Sequence, residues 1–126
     1  MKNRQTGQYV TDDGSGTAKY AAAPASEQSS QWTVENVSGG YVRFKSRVTG
    51  AYLHVENQTG KVQSTVVPST YWSGQWTEEA AAGYVRLKNR WQPAEYVHTE
   101  DLTGSLQYGP APSGWWTSQW TLEPSS

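Results

Sequence analysis

The sequence predicts an all-β fold: about twelve short strands in three pseudo-symmetric repeats of about 42 residues, closed into a barrel and capped by hairpins. Three observations carry this. A Gln-Trp-Thr unit is written at Gln31-Trp32-Thr33, Gln75-Trp76-Thr77 and Gln119-Trp120-Thr121, with its tryptophans 44 and 44 residues apart. Apolar residues alternate over short runs and never keep a helical period. Glycine or proline punctuates the chain about every ten residues. Four strands per copy also suit a propeller blade, but propellers need roughly four or more blades. Three copies suit a threefold barrel.

Length and composition narrow the class further. The 126 residues make one domain, 1–126, with copies at approximately 1–40, 41–83 and 84–126. A net charge of −1 and a pI near 6.1 leave no basic footprint for nucleic acid and no polybasic membrane patch. No apolar run reaches the roughly 18 residues of a membrane helix. The start of the chain lacks the pattern of a secretion signal, which fits a mature form or an excised module. With no cysteine there are no disulfides and no thiolate chemistry. Seven Trp and eight Tyr stand against one Phe and one Met. Trp and Tyr are the aromatics with a polar handle, suited to surfaces that are part apolar and part wet.

Within a copy the elements follow in order. Tyr41-Val42-Arg43-Phe44-Lys45 and Tyr84-Val85-Arg86-Leu87-Lys88 alternate, with Val and Phe or Leu inward and Arg and Lys outward. The first copy begins at Met1-Lys2-Asn3-Arg4, without that Gly-Tyr-Val-Arg lead-in, so its first strand is expected to be clipped. The next strand turns Leu53, Val55 and Val97 inward, and Tyr52, His54, Glu56, Tyr96, His98 and Glu100 outward. Asn57-Gln58-Thr59-Gly60 and Asp101-Leu102-Thr103-Gly104 are hairpin turns. The third strand carries Val62 or Leu106 inward and Gln63 or Gln107 outward. A proline-containing loop then leads to the Gln-Trp strand. On that strand residue 78 shares the inward register of Val34 and Leu122 yet is Glu78, which a bulge would explain.

Three copies that each close on a Gln/Trp strand resemble the β-trefoil carbohydrate-binding modules and ricin-type lectins, over the whole chain. That family's signature is Gln-x-Trp, whereas here Gln31, Gln75 and Gln119 directly precede the Trp. A Glu beyond the second strand and a second Trp four residues before the repeated one make the chain most similar to carbohydrate-binding module family 92. The resemblance implies a bacterial, secreted β-trefoil joined to a polysaccharide-degrading enzyme. It implies binding of a β-1,6- or β-1,3-linked glucan or of a galactan such as carrageenan, with no cofactor.

The repeated tryptophans Trp32, Trp76 and Trp120 are expected in the core, because three symmetric indoles fill a barrel. Trp72 and Trp116 lie four residues earlier in Pro/Ser/Gly loops, where a flat ring stacks on a pyranose or packs as a lid. Gln28 stands at their place in the first copy, so that site is expected to be degenerate. Tyr71 and Trp115 are second-choice platforms. Glu56 and Glu100, with Asp13 as counterpart, accept sugar hydroxyls, or are solvated turn residues, or pair with Arg47 or Arg90. Arg4, Arg47 and Arg90 end outward strand faces, where Arg47 and Arg90 are candidate sugar contacts or structural ion-pair partners. Gln63 and Gln107 are secondary contacts. His54 and His98 belong to different copies with no third ligand at metal spacing, so they are solvated or hydrogen-bond a sugar beside the acids.

Hydrolysis of a glycoside needs two carboxylates about 5–10 Å apart. Glu56, Glu100 and Asp13 occupy equivalent positions of symmetry-related copies, and Glu78 and Glu79 alternate faces, so no pair converges. The expected function is non-catalytic, multivalent polysaccharide binding by a monomer. A free-standing lectin for cell-surface glycans and a sugar-free interaction trefoil are the competing classes.

Overall fold

The computed structural model describes residues 1–22, 27–101 and 103–122; Leu102 of the predicted turn lies outside them. Among the described residues twelve strands fall four to a copy. The first copy holds β1 (Lys2–Asn3), β2 (Tyr9–Thr11), β3 (Lys19–Ala21) and β4 (Trp32–Val37). The second holds β5 (Tyr41–Ser46), β6 (Tyr52–His54), β7 (Gln63–Thr65) and β8 (Trp76–Ala81). The third holds β9 (Tyr84–Asn89), β10 (Tyr96–His98), β11 (Gln107–Gly109) and β12 (Trp120–Thr121). A single 3-10 turn precedes each Gln-Trp strand: η1 (Gln28–Ser30), η2 (Trp72–Gly74) and η3 (Trp116–Ser118).

Pairing runs β4-β5-β8-β9-β12-β1 around the barrel wall, and β2-β3, β6-β7 and β10-β11 form the three cap hairpins. The hairpins meet at a closed ring of backbone bonds. Ala18 N–H donates to Val62 O (3.0 Å), Val62 N–H to Leu106 O (2.8 Å) and Leu106 N–H to Ala18 O (2.9 Å). All three residues are fully buried and again 44 apart, so the ring marks the pseudo-threefold axis of a β-trefoil. Buried backbone groups must be paired, and this ring satisfies them without a sheet edge.

The core is built from equivalents of each copy: Val10, Leu53 and Val97; Met1, Phe44 and Leu87; Trp76 and Trp120, with Trp32, Val85 and Leu122 packed against it. The repeated indoles bond one strand onto the next, Trp32 Nε1–H to Val10 O (3.0 Å), Trp76 to Leu53 O (3.1 Å) and Trp120 to Val97 O (3.1 Å). They are architecture, as expected. Trp32 is only half-buried, however. The clipped β1 makes no recorded pairing with β4 among the described residues, so β4 has one neighbouring strand and its indole less cover.

Two register expectations need correction. The β8–β9 ladder runs unbroken from Trp76↔Asn89 to Ala81↔Tyr84, so no bulge accommodates Glu78. Glu78 pairs with Leu87 and Val34 with Phe44, yet Glu78 is exposed and Val34 is 43% exposed. Each stands opposite a fully buried core residue yet is itself open to water, so ladder register alone does not set burial there. Arg43 and Arg86, expected outward, are buried. Their guanidinium groups donate to the carbonyls of Val67 (3.0 Å) and Ala111, and stack on Tyr52 and Tyr96 at 3.5 and 3.6 Å. Long loops cover the outer face there, which strand alternation does not reveal.

Candidate functional site

The glutamine of each Gln-Trp unit organises the loop before it. Gln75 Nε2–H donates to Ser69 O (3.0 Å) and Gln119 Nε2–H to Ser113 O (3.0 Å), fixing the loop on the strand. Their Oε1 atoms accept from arginines of the following copy, Arg90 Nη1 (2.6 Å) and Arg4 Nη1 (2.6 Å); Gln31 accepts likewise from Arg47. Arg90 lies 4.0 Å from the ring centroid of Trp72 and 4.0 Å from that of Tyr41, and Arg4 lies 3.8 Å from Trp116 and 4.4 Å from Tyr84. Each loop tryptophan is therefore braced on one face by a cation and leaves the other to solvent. Arg90 and Arg4 serve an amide and a ring and Arg47 an amide, and among the described residues none of them pairs with a carboxylate.

Trp72 is 52% and Trp116 50% exposed, so neither is a lid packed on the barrel. Unlike the repeated indoles, their N–H groups have no protein partner among the described residues. Trp72 shares a cleft of about 330 Å³ with Glu56, Thr70, Tyr71, Ser73 and Trp91. The equivalent cleft of about 420 Å³ gathers Trp116, Glu100, Trp115, Thr117, Gly114 and Gln5. Trp91 and Gln5 come from the copy after the one that supplies the loop. That cross-copy wall was missed by reading the sequence one copy at a time; the Arg-Trp and Arg-Gln steps at Arg90-Trp91 and Arg4-Gln5 are the only signal for it.

Among the described residues each cleft holds one carboxylate. Glu56 Oε1 accepts from Ser73 Oγ (2.7 Å) and Glu100 Oε1 from Thr117 Oγ1 (3.0 Å), which aims the acid at the tryptophan's own turn. The second oxygen of each has no partner among the described residues and is an open acceptor. Asp13 behaves differently: it pairs with Lys19 at 2.9 Å, and bonds from Ser15 and Lys19 hold its carboxyl well below the usual range. The first copy thus carries Gln28 for the ring and an acid committed elsewhere.

The histidines do not face solvent as expected. His54 is buried and His98 half-buried. Their Nδ1 atoms accept the backbone N–H of Glu56 and Glu100, each at 3.1 Å, and His54 Nε2 meets Thr65 Oγ1 at 2.5 Å. An accepting Nδ1 places the proton on Nε2. Each imidazole thereby fixes the backbone at the acid, and His98 also packs edge-on against Trp115 of the third cleft, with ring centroids 6.4 Å apart. Gln63 and Gln107 do not line the clefts: their Oε1 atoms accept the N–H of Asn57 (3.3 Å) and Asp101 (3.2 Å) and pin the hairpin turns. Among the described residues no three His, Asp or Glu side chains converge on a metal position.

Burial holds both imidazoles below their ordinary pKa, against the opposing charges of Glu56 at His54 and of Asp101 and Glu100 at His98. The unfolded chain then binds protons more readily, so stability present above about pH 6.5 is lost as pH falls below it. The thermal midpoint is expected to drop between pH 7.5 and 5, above the range where the carboxylates titrate. Equal midpoints at the two pH values would show that the imidazoles do not depend on being neutral.

The profile of the ricin-type β-trefoil lectin domain-like family matches residues 1–67 and again residues 28–105. The chain belongs to that family. Among solved structures, this ricin-type domain is similar to part of a GlcNAcα1-4Gal-releasing endo-β-galactosidase from Clostridium perfringens. Identity is 41% and the TM-score 0.90, over 95% of this chain and 30% of that one. It spans about a third of that enzyme's length. The designed threefold-symmetric protein ThreeFoil matches at 19% identity and TM-score 0.78, over 94% of this chain and 92% of its own. A mosquitocidal holotoxin matches at 16% identity and TM-score 0.82, over 94% of this chain and 16% of its own. These two share the fold of the ricin-type domain. No protein of curated function matches the chain.

Proposed function

We propose that this lectin-like domain binds a polysaccharide at the second- and third-copy clefts without catalysing its cleavage. One observation carries the reading: the same kit recurs in both. A braced tryptophan with a free ring face and free N–H stands beside a single glutamate with an open oxygen. The ring meets the apolar C–H face of a pyranose while the carboxylate accepts its hydroxyls, and charge-assisted bonds are about twice as strong as neutral ones. One carboxylate per cleft is half of what glycoside hydrolysis requires.

Shallow one-ring sites bind weakly, at roughly millimolar to high-micromolar Kd, or about 4–6 kcal/mol. Two on one polymer raise avidity by roughly 10²–10⁴. Such a domain tethers a secreted bacterial enzyme to its substrate. The kinship with carbohydrate-binding module family 92 and a β-1,6- or β-1,3-glucan ligand belong to this reading. A galactan is the second reading, favoured by the 41% identity to part of an endo-β-galactosidase. A free-standing lectin differs by lacking an attached catalytic domain, which the full gene product decides. Polysaccharide pull-down with a glycan array tests the function. Retention on a glucan or a galactan supports it, and no retention on any polysaccharide overturns it.

A further inference from the structure

The two clefts share a ring on the 3-10 turn, Trp72 or Trp116, and a ring just before it, Tyr71 or Trp115. Trp91 is the ring without a counterpart, since Gln5 holds its place in the third cleft. Its position is not incidental. Asn89, fully buried, accepts the backbone N–H of Trp91 (3.0 Å) and of Gln92 (2.9 Å) on Oδ1. Its Nδ2–H donates to Ser73 O (3.0 Å) in η2. One side chain therefore locks the turn carrying Trp91 to the turn carrying Trp72. Asn3 repeats the lock in the third cleft, accepting from Gln5 and Thr6 at 3.1 Å each and donating to Thr117 O at 2.9 Å.

Trp91 is 37% exposed, its indole N–H is free among the described residues, and it makes no ring contact with Trp72. Both rings therefore present separate surfaces to one cleft, and Trp72 offers only the face away from Arg90. Rigid mounting lowers the entropy lost when a ligand settles on a ring. Resting on the carbohydrate reading above, we infer that Trp91 forms an added subsite, so that the second cleft takes one more consecutive sugar unit than the third. The clefts then differ in chain-length preference: the second grips an internal stretch of polymer, and the third reads a shorter one.

The test uses β-linked gluco- and galacto-oligosaccharides of one to four units against the full chain. The indole N–H resonances of Trp72, Trp91 and Trp116 give the readout, assigned through single Trp→Phe variants. The longer ligands are expected to shift Trp91 together with Trp72 and to bind the second cleft about three- to tenfold more tightly than the shortest that binds. Trp91→Gln should remove that gain, so that affinity no longer rises with ligand length, while the thermal midpoint stays near the wild-type value. Gln5→Trp should confer a similar gain on the third cleft. A longer ligand that shifts Trp72 but not Trp91, or a gain that survives Trp91→Gln, overturns the subsite and leaves the binding function standing. If no oligosaccharide moves Trp72 or Trp116, the carbohydrate reading falls and the subsite with it.

Discussion

The Trp76→Ala variant is expected to lose about 3–5 kcal/mol of unfolding free energy, the usual cost of a large-to-small change at a buried tryptophan. Trp76 is fully buried, and its indole N–H holds Leu53 O at 3.1 Å. The substitution empties the volume of an indole and strands a buried carbonyl together, which costs more than either alone. Against a total of roughly 5–15 kcal/mol for a domain, that is a large share. Trp32→Ala should cost less, because Trp32 is only half-buried. Urea titrations of the two variants decide this; equal midpoints would mean that the barrel is no tighter at the second copy than at the first.

The double variant Trp72→Ala/Trp116→Ala is expected to abolish retention on polymer while melting cooperatively near the wild-type midpoint. Both rings are about half exposed and lie outside the strand ladders, on η2 and η3, so truncation opens no cavity. What remains is the first copy, with Gln28 on its turn and Asp13 tied to Lys19. A single weak site gains nothing from tethering, so the roughly 10²–10⁴ avidity factor is lost with either ring, and the remaining single-site retention goes with the second. Each single variant should keep partial retention. Calorimetry with a short oligosaccharide gives the companion number, two sites per wild-type chain and one in either single variant. A stoichiometry of one in the wild type, unchanged by Trp72→Ala, would remove the second cleft from the reading.

The repeat was legible because duplication preserves spacing. Trp32, Trp76 and Trp120, and the ring of Ala18, Val62 and Leu106, are each 44 residues apart, and both follow the threefold axis. Period-two alternation placed Val42, Phe44, Leu53, Leu87 and Val97 in the core correctly. Trp72, Trp116, Glu56 and Glu100 stood out by breaking the strand register or ending it, and the structure gathers them in two clefts. The same alternation failed for Arg43, Arg86 and His54. It distinguishes the two faces of a strand but not whether a loop later covers the outer one. All three are buried, and each finds a partner there, in Val67 O, Ala111 O and Thr65 Oγ1, although the Nε of both arginines stays without one.

By itself, the sequence determined the strand count, the threefold barrel, the identity of the core and the inequality of the first copy. All of these are encoded within a copy by spacing and residue type. Only the tertiary structure decided what each cleft contains. Each Gln-Trp strand starts beside the end of the next copy's first strand, across the β8–β9 hairpin (Trp76↔Asn89) and across the β12–β1 seam that closes the barrel (Asn3↔Trp120). Arg90 and Trp91 therefore meet Trp72, and Arg4 and Gln5 meet Trp116. Those partners are 18 or more residues apart along the chain, and for Arg4 and Trp116 nearly its whole length. No pattern within one copy records such a meeting, because it arises from strand pairing between copies and, for Arg4 and Trp116, from closure of the ring.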